Sequence, residues 1–360
     1  MAIATPANGW QKFLKHRSAL IGLAIITISL FIAVFAYWIS PDSSPDANRM
    51  IVEIGGRKPG FTQEFFLSPK ESAVQQNNWI RRTFIGQPDT VEYIPISGYA
   101  VNANEVIINK YIDEGLVEPI AYPRSILAMP VSKNFLIQSF PLGTDKYGRD
   151  ILSRLLVGVR VSLLVGGIAM LLSLTIGLLL GALAGYYGGK TDNWIMWLIN
   201  VIWSIPTLLL VFAITLLLGK GFWQVFIAVG LTMWVNVARI VRGQLLGIRN
   251  LEYVEAGRAL GFSDLRIICK HILPNIMGPV LVVAAANFAS AIIIEAGLSF
   301  LGVGVQPPQP SWGGMIKENY NFIITNNPML ALAPGFAIML LVLAFNLLGN
   351  GIRDALDVRG

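Results

Sequence analysis

The stretch EYVEAGRALGFSDLRIICKHILPN, residues 252–275, decides how the rest of the chain is read. Charged residues return every few positions, Gly261 sits midway and Pro274 closes the segment, yet long and nearly uncharged runs flank it on both sides. Across all 360 residues, 54% are apolar and 13% charged, with a mean hydropathy of +0.60. Soluble domains carry about a quarter of their residues charged. The composition is that of a membrane protein, and the polar stretch is a loop between spans.

The net charge of +6 says little about nucleic acid in such a chain. Lys and Arg more readily set orientation, because cytoplasmic loops favour them. The single cysteine, Cys269, excludes an intrachain disulfide and a cysteine-based metal cluster. His16 and His271 lie far apart and make a poor metal site, so the sequence offers no metal ligand set.

Crossing a hydrocarbon core of about 30 Å takes about 20 mostly apolar residues. Residues 18–40 meet this, behind Lys12, Lys15 and Arg17; the run is too long for a signal peptide and no cleavage site follows it. Residues 161–186, 193–218, 222–241, 276–301 and 329–348 qualify as well. Six helical spans give an all-α polytopic membrane protein with both termini on one side. Residues 239–271 carry Arg239, Arg242, Arg249, Arg258, Arg266 and Lys270, whereas 302–328 on the other side carry only Lys317 and Glu318 as charged residues. That bias places both termini in the cytoplasm. Arg149, Arg154 and Arg160 fall in the long outer segment, where charge counts for less.

Within the spans, Gly166, Gly167, Gly177 and Gly181 read as close-packing positions. Pro206 is either a packing feature of a kinked span or a gating hinge. Asn287 and Glu295 are costly inside a membrane, which makes each an interhelical hydrogen-bonding group or a pathway residue. Residues 41–140 hold no membrane-length apolar run and predict a small mixed α/β insertion outside the membrane. There EVIINKYIDEG reads as helix, and DTVEYIPISGYAV and NRMIVEIGG as strands. The expected division is 1–40 for the cytoplasmic N-terminus and first span, 41–140 for the insertion, and 141–360 for a core with five spans and a cytoplasmic loop at 245–275.

The loop itself predicts two short helices. The first runs over 252–260 with Val254 and Leu260 among its apolar positions, and Gly261 allows a turn or cap. Ser263 or Asp264 caps the second, 265–272, and Pro274 starts the next span. A protruding helix pair of this kind fits a groove in a partner.

EAGRALG followed by HILPN resembles the EAA loop of ATP-binding-cassette importer permeases, matching at Glu255, Ala256, Gly261, Leu273 and Pro274. Gly257 stands where a second alanine is usual, and His271 replaces an apolar residue. PLGTDKYGRDILSRLLVGVRVSL, GYYGGKTD, EAGLSFLGVGVQPPQPSWG and FNLLGNGIRDALDVR resemble the dipeptide/oligopeptide/nickel branch, specifically its C-type subunit, although Asn350 replaces the more usual aspartate. The matches cover about two thirds of the chain in order; most of 41–140 lies outside them. The resemblance implies a type I importer permease fold with six spans in the bacterial inner membrane. It also implies a second homologous permease, two cytoplasmic ATPase subunits that bind ATP and Mg, and an extracytoplasmic solute-binding protein. The loop would be the coupling helix: Glu255 would pair with the ATPase, Ala256 and Gly257 would allow close approach, and Gly261 would shape the turn.

The chain would then be a non-catalytic subunit that moves peptides, or alternatively nickel or another solute, inward by alternating access. GYYGGKT is not a phosphate-binding P-loop, because Gly185 leaves only three residues before Gly189 and the segment follows a span rather than a strand. An ATP-independent secondary transporter would more often carry charged pairs inside its spans, where only Glu295 stands out. No HExxH, GxSxG or paired intramembrane aspartates support an intramembrane enzyme. The insertion would cap the pathway or dock the binding protein.

Overall fold

The computed structural model describes residues 6–70, 75–127, 129–219, 221–324 and 327–356. In chain order the elements are α1 (Pro6–Lys15), α2 (Arg17–Ile39), β1 (Phe61–Pro69), α3 (Trp79–Ile85), β2 (Val91–Val101), β3 (Glu105–Asp113), β4 (Leu116–Pro123) and β5 (Phe135–Phe140). After these come α4 (Ile151–Tyr187), α5 (Gly189–Trp203), α6 (Thr207–Leu218), α7 (Phe222–Ile248), α8 (Glu252–Ala259) and α9 (Asp264–Arg266). A π turn, Ile267–Ile272, joins α9 to α10 (Leu273–Leu301); α11 (Trp312–Asn319) and α12 (Met329–Leu356) complete the chain. Contacts divide it into two units. One comprises Met1–Leu30, Ser162–Gln306 and Ile338–Gly360, and the other Phe31–Val161 and Pro307–Ala337.

Among the described residues, five helices are long and apolar enough to cross a membrane: α2, α4, α7, the run Asp264–Leu301, and α12. The expected span 193–218 is instead a broken pair. α5 and α6 meet at a bend of 90°, and only together do they pass as a sixth span. Pro206 causes the break. It has no N–H to donate, its ring clashes with the carbonyl four residues back, and it disfavours helical backbone at Ile205. Pro206 itself sits at φ −54, ψ 124 as the N-cap residue of α6.

In the first unit, α4 packs on α7 through glycines one turn apart. A side chain at Gly181 would meet the Ala238 carbonyl oxygen at 2.6 Å, and one at Gly185 would meet Cβ of Leu245 at 2.6 Å. Gly177 lies similarly against Val237, and Gly166 against the Phe288 ring; Gly167 has only a distant contact. Small residues here let the backbones approach, as in other membrane helix pairs. Arg242 forms a bidentate pair with Asp192 of α5, and Arg239 lies over the Trp203 ring at 3.6 Å. Two of the arginines that read as orientation signals also fasten α5 to α7.

The second unit is built on a five-stranded antiparallel sheet in the order β4-β3-β2-β1-β5. The insertion is therefore largely strand, and EVIINKYIDEG, expected as helix, forms β3 and the turn after it. Val106 and Ile108 alternate into the core while Asn109 faces out, a period of two that suits β-branched residues. NRMIVEIGG, expected as strand, is not one. Ile51 accepts no strand partner but donates its N–H to the Tyr147 carbonyl, and Val52–Ile54 form a single 3₁₀ turn. Ile51 and Ile54 then fill the sheet face against Phe65 and Phe140.

Arg149, Arg154 and Arg160 are not solvated loop charges. α4 starts ten residues before the expected span, so Arg154 and Arg160 lie within it. The Arg149 side chain is buried and donates to Asp145 at 2.6 Å, Glu318 at 2.5 Å and Asn48 at 3.2 Å. A buried guanidinium is tolerated only when so partnered. The same loop contains Gly148, at φ +74, where any side chain would run into the Ile51 carbonyl. Gly115, at φ +82 in the β3–β4 turn, has open space around it. Gly115→Ala should therefore cost only the left-handed backbone penalty of about 1–2 kcal/mol. Gly148→Ala should add the clash to that penalty and lower the thermal midpoint clearly more. Equal shifts in paired thermal unfolding scans would contradict this packing.

Candidate functional site

α8 is held by one face only. Val254 and Gly257, three residues apart and so on one side of the helix, are buried. Val254 rests in a cluster with Val241, Leu245, Ile267 and Ile272, all within the first unit, and Gly257 lies beside Phe262 and Ile267. Glu255 and Ala256 are exposed on the opposite side. Glu252 and Glu255 in the first turn and Arg258 in the last complement the helix dipole. Gly257 thus faces its own chain. A Cβ there would meet Phe262 at 3.5 Å and Ile267 at 3.7 Å, ordinary contact distances that leave room for alanine.

The turn after α8 closes in two hydrogen bonds, Gly261 N–H to the Arg258 carbonyl and Phe262 N–H to the Gly257 carbonyl, at 2.9 and 3.0 Å. This is a Schellman cap, with Gly261 in the left-handed conformation it requires at φ +77. The Phe262 ring stacks on His271, centroids 5.8 Å apart, and carries the Arg266 guanidinium at 4.1 Å. Ser263 occupies the N-cap position but its hydroxyl makes no capping bond; Asp264 instead accepts from the Tyr186 hydroxyl at 2.7 Å. Tyr186 also lies under Arg258 at 5.1 Å. Leu260 and Leu265 flank the elbow, each 73% exposed.

Pro274 stands in the first turn of α10, as expected of a span start, but no break separates it from the helix before. Asp264–Leu301 is one 38-residue helix. The π turn Ile267–Ile272 lies directly before the proline, and Leu273 donates its N–H to the Ile268 carbonyl, five residues back. A local π adjustment re-satisfies backbone groups that proline leaves free, so the helical run continues past it. Asn275 also donates its side-chain amide to the His271 carbonyl at 2.7 Å. Leu273 is partly buried against the cluster that holds Val254, and Pro274 is exposed.

The remaining residues lie away from this elbow. Asn287 is buried and donates to Ser173 of α4 at 3.2 Å and to the Met233 carbonyl of α7 at 3.4 Å, joining three helices. Glu295 is fully buried and accepts from the Ser299 hydroxyl at 2.6 Å, while Ser299 receives the Val305 N–H. Both are side chains of the helix interior. Among the described residues, no group of three or more His, Cys, Asp or Glu is placed to hold a metal ion. The sequence reading missed the Tyr186–Asp264 bond and the Phe262–His271 stack. The available signal was a tyrosine at the end of an apolar run and an aromatic one residue after the turn glycine.

The family model described as binding-protein-dependent transport system inner membrane component matches residues 177–359, which contain the whole elbow. A second, the N-terminal TM domain of oligopeptide transport permease C, matches residues 7–52. Residues 53–176, which include the sheet, lie between the two matches. The dipeptide transport system permease protein DppC of Bacillus subtilis is 40% identical over 244 residues, 67% of this chain and 76% of that protein. OppC of the same organism, an oligopeptide transport system permease protein, is 42% identical over 60% of this chain and 70% of its own length. The glutathione transport system permease protein GsiD of Pectobacterium atrosepticum is 44% identical over 60% of this chain and 71% of its own. Among solved structures, a chain of the MetNI methionine ABC transporter in an inward-facing conformation aligns at 21% identity with a TM-score of 0.49, covering 57% of this chain and 98% of that one. The chain belongs to the inner membrane components of binding-protein-dependent transport systems, as an OppC/DppC-like permease with several membrane-spanning helices.

Proposed function

We propose that this permease passes small peptides inward and that residues 252–275 are where partner ATPases drive it. Peptide cargo is favoured because the relatives are named for dipeptide, oligopeptide and glutathione transport. Nickel or another solute remains the alternative. The observation that carries the coupling role is the two-sided elbow. Its inner face, Val254 and Gly257, is locked to the chain's own helices, while Glu255, Ala256, Leu260 and Leu265 present a mixed acidic and apolar tip.

Such a tip suits a groove in another protein. A push on it passes into the 38-residue helix Asp264–Leu301. In this reading the chain makes and breaks no bond. ATP and Mg sit on two cytoplasmic ATPase subunits, a second homologous permease completes the pathway, and a solute-binding protein delivers cargo outside. Both termini are cytoplasmic, in keeping with the arginines of 239–271.

The test is the co-expressed complex in proteoliposomes, scored for assembly, ATP hydrolysis and uptake of a labelled dipeptide. Glu255→Ala and Gly261→Val should each weaken ATPase copurification or separate hydrolysis from uptake. Valine at Gly261 would carry about 1–2 kcal/mol of backbone strain. Assembly, hydrolysis and uptake all unchanged in both variants would contradict the coupling role. Gly257→Ala should stabilise the chain by about 0.5–1 kcal/mol, since alanine favours helix over glycine and space exists for it. A drop in thermal stability would contradict the packing of α8.

A further inference from the structure

α3 is a seven-residue helix, WIRRTFI, whose apolar side chains face away from the protein. Trp79 is 71% exposed and Phe84 67%, and Ile80 and Ile85 are each about half exposed. A short helix with so little burial would ordinarily fray. This one is fastened at both ends. Asn78 caps it by accepting the Arg81 N–H at 2.9 Å, and the Asn77 amide donates to the Gly86 carbonyl at 2.7 Å.

Its attachment points lie on α2 and α4. The Trp38 indole, in the last turn of α2, donates to the Thr83 hydroxyl at 3.0 Å, and Arg82 lies over the Trp38 ring at 4.1 Å. Arg160 of α4 donates to the Thr83 carbonyl at 2.5 Å and to the Phe84 carbonyl at 3.1 Å. The same guanidinium reaches the Val34 carbonyl of α2 at 2.9 Å and also bonds Ala33. One arginine thus clamps α3 beside the end of a helix apolar enough to span the membrane. The exposed Trp79, Ile80 and Phe84 therefore stand beside the last turns of that helix.

Tryptophan and arginine beside aliphatic residues are the composition of the membrane–water boundary. Arg81 is exposed next to the apolar residues, where it can meet lipid phosphates. We propose that α3 is an interfacial anchor, with Trp79, Ile80 and Phe84 in the headgroup–acyl boundary of the bilayer that α2 and α4 cross. It fixes the depth at which the sheet unit emerges from the membrane. The occupant of this face is lipid, not a second protein chain.

The test uses the full chain in phosphatidylcholine vesicles containing phosphatidylglycerol. Spin labels at Ile80→Cys, Phe84→Cys or Leu116→Cys, each with Cys269→Ser, are challenged with oxygen, which enters lipid, and with a water-soluble nickel chelate. Leu116 lies in the exposed β3–β4 hairpin and serves as the aqueous reference. Labels at 80 and 84 should report oxygen-rich surroundings about 5–10 Å below the headgroup surface, and the label at 116 should report water. In unlabelled chain, lipids brominated near the top of the acyl chain should quench less of the tryptophan emission after Trp79→Phe. Nickel access equal to that at 116 would overturn the proposal, as would shielding from both reagents, which would mean a protein partner. No change in bromolipid quenching after Trp79→Phe would overturn it too.

Discussion

The π turn Ile267–Ile272 before Pro274 is the feature on which the account depends. Proline inside an ordinary α-helix loses one hydrogen bond and clashes with a carbonyl four residues back, at a cost of about 3 kcal/mol. A five-residue hydrogen bond from Leu273 and a side-chain bond from Asn275 let the chain pass the proline without a joint. The elbow at Gly261 thus leads into one continuous helical run, Asp264–Leu301, which also carries Pro279 and which we treat as a lever. The Schellman cap fixes the angle between α8 and that lever, and Tyr186–Asp264 ties the elbow to the end of α4.

The rest of the first unit packs around this run. Glycines of α4 bring it against α7, and Asn287 joins the lever to both α4 and α7. Arginines of α7 then hold α5. At Pro206 the chain takes the other course open to a proline and breaks. No π turn precedes Pro206, and there the chain bends by 90°.

What could be read in the sequence follows the length of each signal. The spans were legible because twenty apolar residues have few alternatives in water or lipid. The turn at Gly261 was legible because glycine there has a specific backbone use. β3 was misread because Glu, Asn, Lys and Asp among its apolar residues imitate a helical surface, and only the pairing with β2 and β4 settles the period. The break at Pro206 and the continuity at Pro274 could not be told apart from the residue alone. Pro279 and Pro334 are carried inside α10 and α12 with no π turn before them, so the residue type alone does not decide between a break and continuity. Gly257 was expected at a partner surface, but its side of α8 is set by Val254 three residues earlier, which the cluster behind it buries.

The most direct measurement is a distance within the lever. Spin labels at Leu265→Cys and Ile293→Cys, with Cys269→Ser, would be placed on the assembled complex, since both side chains are exposed in the chain. Their separation follows from the helical rise of 1.5 Å per residue, about 42 Å over the intervening length. A rigid lever gives one narrow distance that stays the same with and without ATP. A shift, or a second population that appears with nucleotide, would mean that the helix flexes between the labels, at Pro274 or Pro279, and would contradict the rigid lever.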